Sequence, residues 1–399
     1  MADFSLNEDQ QQIQKWVHDF AEAVVRPAGH EWDEAEEFPF PIVQQAAEIG
    51  LYGWEFMFNA MSDTTGLTLP VAVEELFWGD AGIGMAIMGS GLAAAGIAGN
   101  GTPEQVMEWV PQCYGDAQKV QLGAFCVSEP DAGSDVSSLR TRAVYDEAND
   151  EWVLNGTKAW ITNGGIADIH VVVAAVDPEL KGRGQASFVI PPGTKGLSQG
   201  QKYKKHGIKA SHTAEVVLDD CRIPGRCLLG GKEKLDAKLA RAREVGSTGQ
   251  KQPAMSTFEA TRPTVGAQAL GIARAAYEYS LEYAKERKAF GRPIAKFQIW
   301  RHKLVEHLTA IEAARRLTYF AIDKFNKAPM ESTREITMAK LFVGDLAQKV
   351  LYDCMQMYGG FGYTTEFPIS RAWTDVRLIT IGGGTSEIMK EILVKLEGL

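Results

Sequence analysis

The sequence predicts an α+β protein in which a β unit sits between two helical blocks, and three observations carry that reading. Apolar residues recur at three- and four-residue spacing from about residue 5 to about 121. Short β-branched runs replace them from about 122 to 229. Helical spacing then returns from about 258 to the C-terminus. A helix buries one stripe and a strand buries one face, so blocks of each kind form separate layers that pack on one another.

In the first block Ile13, Val17, Phe20 and Val24 mark one helical face, with Ser5 as the expected N-cap and Asp9 and Gln10 in the first turn. In the second, residues 151–154, 170–175, 186–190 and 214–218 read as strands separated by turn residues. In the third, residues 267–288 and 297–325 read as long amphipathic helices. Residues 231–252, GKEKLDAKLARAREVGSTGQKQ, are highly charged and read as a solvated linker with a short surface helix. The expected units are therefore 1–121, 122–230, 231–252 and 253–399.

A chain of 399 residues with 45% hydrophobic content buries a core large enough for more than one unit. Its net charge of -10 argues against nucleic acid or an anionic membrane surface as a partner. Cys113, Cys126, Cys221, Cys227 and Cys354 are odd in number, widely spaced and without a C-x-x-C pair. That pattern suits reduced thiols in a cytosol-like compartment, not a disulfide framework or zinc cluster. The opening MADFSLNEDQQQIQ is too polar for a signal peptide, and no apolar run is expected to reach the ~20 residues of a membrane span. A cytoplasmic location is the expectation.

The chemistry-bearing strings begin with FCVSEPDAGSD from Phe125 and WITNGG from Trp160. Small residues and hydroxyls at strand ends let backbone approach a planar ligand, with Ser128 and Thr162 offering hydrogen bonds to its polar edge. One such segment alone means only a turn. Further along stand GTPEQ, HGIKASHT, FEATRP, ERKAFGRP and the C-terminal YGGFGYTTEFPISRAWTDVRLITIGGGTSEI. In this order, and over nearly the whole chain, they resemble the FAD-dependent acyl-CoA dehydrogenases. FEATRP is similar to the F-D-x-T-R-P of the medium-chain-like branch.

The resemblance implies a helical N-terminal domain, a β-barrel-like middle domain and a C-terminal four-helix bundle, assembled as a homotetramer with one FAD per subunit. It implies oxidation of an acyl-CoA to an enoyl-CoA, with hydride passing to flavin N5 and electrons to an acceptor such as an electron-transfer flavoprotein. By position, Ser128, Trp160 and Thr162 would contact the flavin, with Phe125 and Val127 lending backbone atoms. Arg287, Phe290, Gln356, Gly359 and Gly360 would contact FAD across a subunit boundary, and Thr385 and Glu387 would hold its ribityl and pyrophosphate region. Ser134 would lie near coenzyme A, Glu259 near its adenine end and Arg262 beneath the active site. On plain physics Arg287 is an exposed cation pairing with Glu282 or Glu286, and Glu259 and Arg262 are helix-start residues.

One element of the resembled pattern is missing. The family's proton-abstracting glutamate stands at the position of Gly383 or at that of Thr261, and here neither is acidic. Glu259 is no simple substitute, because two residues along a helix rotate a side chain by roughly 200°. The Gly383 backbone N–H, which in the family helps hold the thioester oxygen, is kept. The candidate relocated base is Asp80 in ELFWGDAGIG, with Glu55 in the unusual LYGWEFMFNA as a weaker one; a helix-turn carboxylate is the ordinary reading of Asp80. Three outcomes stand open: a dehydrogenase with a moved base, other acyl-CoA flavin chemistry such as cyclic acyl-CoA dehydrogenation or desulfination, and an impaired partner subunit. Lys232, Lys234 and Arg241 of the linker are further candidates for holding coenzyme A phosphates.

Overall fold

The structure is a computed structural model that describes residues 5–245 and 253–399. Eight helices come first: α1 Glu8–Phe20, α2 Arg26–Ala35, α3 Phe40–Glu48, α4 Trp54–Ser62, α5 Thr68–Gly79, α6 Ala81–Met88, α7 Gly91–Asn100 and α8 Pro103–Trp109. The first helix is capped by Asn7, not by Ser5. The Asn7 side chain accepts from the Gln10 N–H at 2.9 Å, while the Gln10 side chain accepts from the Asn7 N–H at 3.1 Å. This reciprocal box satisfies two otherwise unpaired donors, which a lone serine two residues earlier cannot do.

Helix α5 is buried along nearly its whole length and packs on α1 and α10. Residues Ala81–Asn100 have the length and composition to cross a membrane, contrary to the sequence expectation, yet 67% of that window is buried inside the protein. They form the separate helices α6 and α7, broken at Gly89 and Ser90, and serve as core. GTPEQ is a second capping box: Thr102 caps α8, and Gln105 donates onward to the carbonyls of Arg226 and Leu228, stitching the first block to the sheet.

Seven strands follow: β1 Gly123–Cys126, β2 Arg142–Asp146, β3 Glu151–Thr162, β4 Ile169–Ala175, β5 Gln185–Ile190, β6 Leu197–Lys202 and β7 Thr213–Pro224. They form a curled open sheet of order β1-β4-β2-β3-β7-β6, with β5 on β4. β4 and β5 are buried on both faces, hence their mostly apolar runs, interrupted by His170 in β4 and by Gln185 and Ser187 in β5. The expected strands lie inside β3, β4, β5 and β7, while β1, β2 and β6 go beyond the sequence expectation. Irregular pairing near Gly156 and between Lys158 and Ile161 breaks the alternation of β3, so its second half does not read as strand. The other side of β5 is closed by the chain itself: Leu229 N–H donates to Ser187 O at 2.9 Å, Leu228 bridges Phe188, and Lys238 Nζ donates to Gln185 O at 2.7 Å.

His170, on β4, accepts a hydrogen bond from Gly165 N–H through Nε2 at 3.1 Å. Burial pushes its pKa from 6.5 down to about 4. The unfolded chain therefore takes up this proton first as pH falls, so the stability present above pH 6.5 is lost as pH drops towards 4, on the order of 3 kcal/mol. Urea unfolding from pH 7 to 4 should show this slope, and His170→Gln should flatten it.

The charged segment forms α9, Lys232–Val245, against the β5 side of the sheet; its remaining residues 246–252 lie outside the described ones. Then come α10 Pro253–Glu286, a two-stranded turn β8 Lys288–Ala289 and β9 Arg292–Pro293, α11 Gln298–Lys327, α12 Thr333–Tyr358, α13 Pro368–Val376 and α14 Ser386–Leu396. Three long helices, α10, α11 and α12, pack together, with α13 and α14 laid on α12. FEATRP thus lies inside α10 and does not open it. Its Pro263 interrupts one backbone bond of that helix.

Candidate active site

The first wall of the site is built at the ends of β1 and β3. Phe125 is 7% exposed, edge-on to Phe258 of α10 at 5.9 Å, and its ring presses on Gly96, where a Cβ would stand 2.7 Å away. The Val127 carbonyl accepts from Lys158 Nζ at 2.9 Å. Lys158 also meets Glu129 at 2.8 Å, and Glu129 accepts from the backbone N–H groups of Arg140 and Thr141 at 2.6 and 2.9 Å. Burial alone would push the Glu129 carboxyl up, but Lys158 and these hydrogen bonds hold it below its usual range.

From that frame Trp160 projects with 61% exposure and a left-handed φ of 62°. Its indole stacks on Tyr203 at 4.1 Å and 19°, so its orientation is set before any ligand arrives. Ser128 and Thr162 are both partly exposed beside it.

The opposite wall comes from α10 and the loop before α14. Phe258, which touches Phe125, lies one helical turn from Thr261 and Arg262, so α10 joins the two walls. Arg262 is 2% exposed; its Nε donates to Gly383 O at 3.4 Å, and its Nη1 has no hydrogen-bond partner among the described residues. Lys340 of α12, also 2% exposed, donates to Gly384 O at 2.5 Å. Burial and the nearby Arg262 charge push Lys340 down to about 8. The Thr261 hydroxyl turns back to the carbonyls of Thr257 and Phe258 at 3.1 and 3.3 Å.

Gly383 and Gly384 are both left-handed, at φ 67° and 103°. A Cβ on Gly384 would stand 2.6 Å from Met389, whereas one on Gly383 would meet only Val265, at 3.6 Å. Gly383 therefore has steric clearance for a Cβ, on a backbone that strains any L-residue.

Asp80, the candidate relocated base, stands at a helix turn, as its ordinary reading had it. It caps α6, with Oδ1 accepting from Ile83 N–H at 3.0 Å and Oδ2 paired with Arg371 Nε at 3.0 Å. Both oxygens are engaged, 6% of the residue is exposed, and it borders a small cavity with Phe77, Trp78, Tyr279 and Arg371. Asp375 beside it is buried and pushed far above the usual carboxylate range by burial first and the Asp80 charge second, while accepting from Ile208 N–H at 2.5 Å. Asp80 thus pins α6 to α13. Asp80→Asn should cost on the order of 2 kcal/mol in thermal or urea unfolding, less than the ~3–5 kcal/mol of a wholly orphaned buried charge because Asp375 still faces Arg371. Glu55 is exposed in the first turn of α4, the helix formed by the unusual LYGWEFMFNA segment.

The other singled-out residues gather elsewhere. Arg287 is exposed and 5.8 Å from the Phe361 ring; Glu282, its expected partner, pairs with Lys285 at 2.6 Å. Phe290 is 96% exposed, and Gln356, Gly359 and Gly360 are exposed at the end of α12. This patch stands about 40 Å along α10 from Phe258, at 1.5 Å per residue. Thr385 caps α14 by accepting from Ile388 N–H at 3.2 Å. With exposed Glu387 it borders a polar cleft of about 300 Å³ that also includes Asp345, Arg377, Thr380 and Lys390. Ser134 is exposed on the turn after β1. That turn meets the α9 region through Gln185, which donates to Val136 O at 2.7 Å and accepts from Lys238.

Sequence reasoning missed Tyr203 and Lys340. The signal for Lys340 was a lone cation on the apolar stripe of α12, among Ile336, Ala339 and Val343. Tyr203, an aromatic amid lysines, gave no comparable signal.

Three models of one family match the chain in order: the acyl-CoA dehydrogenase N-terminal domain over residues 7–115, the middle domain over 124–221 and the C-terminal domain over 252–396. The short-chain specific acyl-CoA dehydrogenase, mitochondrial, of Bos taurus is 37% identical over 396 residues, covering 97% of this chain and 90% of the relative. Butyryl-CoA dehydrogenase from Megasphaera elsdenii superposes with a TM-score of 0.88 at 33% identity, over 100% of both chains. A chain solved in a study of the electron transferring flavoprotein of Acidaminococcus fermentans superposes equally, with a TM-score of 0.88 at 34% identity and 99% of both chains covered.

Proposed function

This chain belongs to the acyl-CoA dehydrogenase family of FAD-dependent oxidoreductases acting on the CH–CH group, and we propose that it oxidises short acyl-CoA thioesters with hydride passing to the flavin and the α-proton to a relocated base, Asp80 being the candidate, because neither Gly383 nor Thr261 is acidic. The observation that carries the proposal is the pairing of an intact cofactor wall with Gly383 opposite it. A short acyl group is supported by the butyryl-CoA and short-chain enzymes to which the chain is similar.

The residues fit the cofactor. Trp160, exposed and held on Tyr203, offers an aromatic face to the isoalloxazine, with Ser128 and Thr162 at its polar edge. The cleft of Arg377, Thr385 and Lys390 has the donors to suit a ribityl and pyrophosphate chain. Bound FAD supplies the hydride acceptor. The chain's own contribution is to orient the thioester: the Gly383 N–H is the proposed donor to its carbonyl oxygen, and donors of this kind lower the barrier to losing the α-proton.

Arg287, Phe290, Gln356, Gly359 and Gly360 form a second cofactor-contact patch in the same proposal. About 40 Å of α10 separates it from Phe258, more than one dinucleotide spans. The patch would therefore serve a neighbouring copy's FAD, which supports at least a dimer; the homotetramer, a dimer of dimers, is proposed from the family resemblance. An electron-transfer flavoprotein as acceptor is supported by the similar chain from the Acidaminococcus study. A cytoplasmic location agrees with five buried free thiols. Coenzyme A is proposed to pass Ser134 and Glu259, with exposed Lys234 and Arg241 and half-buried Lys232 of α9 near its phosphates; unchanged coenzyme A affinity after neutralising the three would remove them.

Anaerobic mixing of the holoenzyme with straight, branched and cyclic acyl-CoAs tests the reading through flavin bleaching. Bleaching by four-carbon thioesters is expected. No bleaching with any thioester, despite bound FAD and coenzyme A, would favour a partner subunit, and sulfite release from a sulfinated thioester without flavin reduction would favour a desulfinase.

A further inference from the structure

We propose that Tyr203 is a positioning residue for the flavin and acts through Trp160: it covers one face of the indole and fixes its tilt, which leaves the other face open to the cofactor. The proposal deepens the reading that FAD lies against Trp160, and rests on it. Trp160 stands where the β3–β7 pairing is irregular, between Lys158 and Ile161, and its φ of 62° lies in the left-handed region. An irregularity of this kind re-aims a side chain out of the sheet. With 61% of the residue exposed, the indole would turn among its rotamers if nothing held it. The stack on Tyr203, with ring centroids 4.1 Å apart and planes at 19°, removes that freedom.

Tyr203 can do this because it is itself fixed at both ends. Its backbone N–H donates to Thr213 O at 3.0 Å, and its hydroxyl donates to Glu215 Oε1 at 3.1 Å. Glu215 is held in turn, since its Oε2 accepts from Gln201 N–H at 3.2 Å. Burial first, and Glu215 second, push the Tyr203 hydroxyl up to about 12, so it remains a neutral donor to that carboxylate near neutral pH. Thr213 is also the ladder partner of Thr162. The backing of the indole and the hydroxyl offered to the flavin's polar edge therefore ride on one cross-strand unit. An indole ordered in advance spares the cofactor the entropy of ordering it, so the stack strengthens FAD binding without touching FAD.

The test follows two properties of the holoenzyme, the visible-range circular dichroism of its bound flavin and the rate of FAD release on dilution. Tyr203→Leu, which removes the ring, should alter the flavin dichroism and speed FAD release about 3- to 10-fold, the weight of one aromatic pair. Tyr203→Phe keeps the ring and should retain the native dichroism, with release within about twofold of native. Tyr203 is only partly buried, so neither change opens a core cavity, and rescue by phenylalanine separates a lost stack from a folding defect. In a Trp160→Leu background Tyr203→Leu should have no further effect, because the two residues act as one unit. Native dichroism and native release in Tyr203→Leu overturn the proposal, as does an undiminished effect of Tyr203→Leu in the Trp160→Leu background. When Trp160→Leu alone changes both properties in those cases, the cofactor wall stands and only the role of Tyr203 falls. When Trp160→Leu changes neither, the indole does not face the flavin and both readings fall.

Discussion

Gly383→Glu should raise the rate at which a straight-chain acyl-CoA reduces the bound flavin by about 10²- to 10⁴-fold, the usual contribution of a positioned general base. Steric room favours the substitution, since the new Cβ would face only Val265 at 3.6 Å. The opposing factor is the backbone: φ at Gly383 is 67°, and holding an L-residue there costs roughly 1–2 kcal/mol. A rate gain of about 10² to 10⁴ corresponds to roughly 3–5 kcal/mol of barrier. The strain burdens the folded state as a whole, whereas the base acts on the reaction step, so the gain should survive. Rapid anaerobic mixing reads the rate, with Gly383→Gln as a control of equal size that cannot take a proton. Equal rates for the Gly383→Glu and Gly383→Gln proteins, or no gain over native, would mean that the native protein already has an efficient acceptor elsewhere.

Lys158→Met should destabilise the protein by about 3–5 kcal/mol, because it strands the buried Glu129 carboxylate. Both partners are at most 4% exposed, so water cannot take over. The loss reaches the site directly, since Lys158 also anchors the Val127 carbonyl at the end of β1. Urea unfolding should show the loss, and FAD should be released more readily on gel filtration. The double change Lys158→Met with Glu129→Leu should recover only part of it, because Arg140 and Thr141 then lose their acceptor, at about 1–3 kcal/mol for each buried N–H. A single-mutant cost under about 1 kcal/mol, far below that of a stranded charge, would show that Glu129 is neutralised by other means.

What the sequence revealed and what it hid divide by range. Local patterns were legible, in the apolar stripes of α10 and α11 and the buried runs of β4 and β5, whereas GTPEQ read only as a resemblance string and its Thr102–Gln105 capping box came from the structure. The start of α1 was misplaced because Ser5 and Asn7 are both good caps, and only the reciprocal bond from Gln10 distinguishes them. The second half of β3 was hidden by its irregular pairing, and β6 by a polar run, LSQGQK, that packs one-sidedly on β7.

The site was legible as motifs but not as geometry. Asp80 stood in the right string, yet its partner Arg371 is 291 positions away and nothing near Asp80 announces it. Thr261 read as an empty base position, and its hydroxyl is in fact spent on its own helix. Gly383 was the reverse case: it read as a missing glutamate with its N–H kept, and only the structure shows that it and Gly384 are left-handed.

The closure of β5 by Leu228, Leu229 and Lys238 has a bearing on the protein's life outside its native state. An open strand with unpaired amides is a template onto which a neighbouring molecule's strand can add, and β5 carries one wholly apolar face, Ala186, Phe188 and Ile190, which favours such growth. Here the occupant is tethered to the same chain, so it returns faster than a stranger arrives. Loosening of α9 would therefore first show itself as self-association through the sheet, before any fall in catalysis.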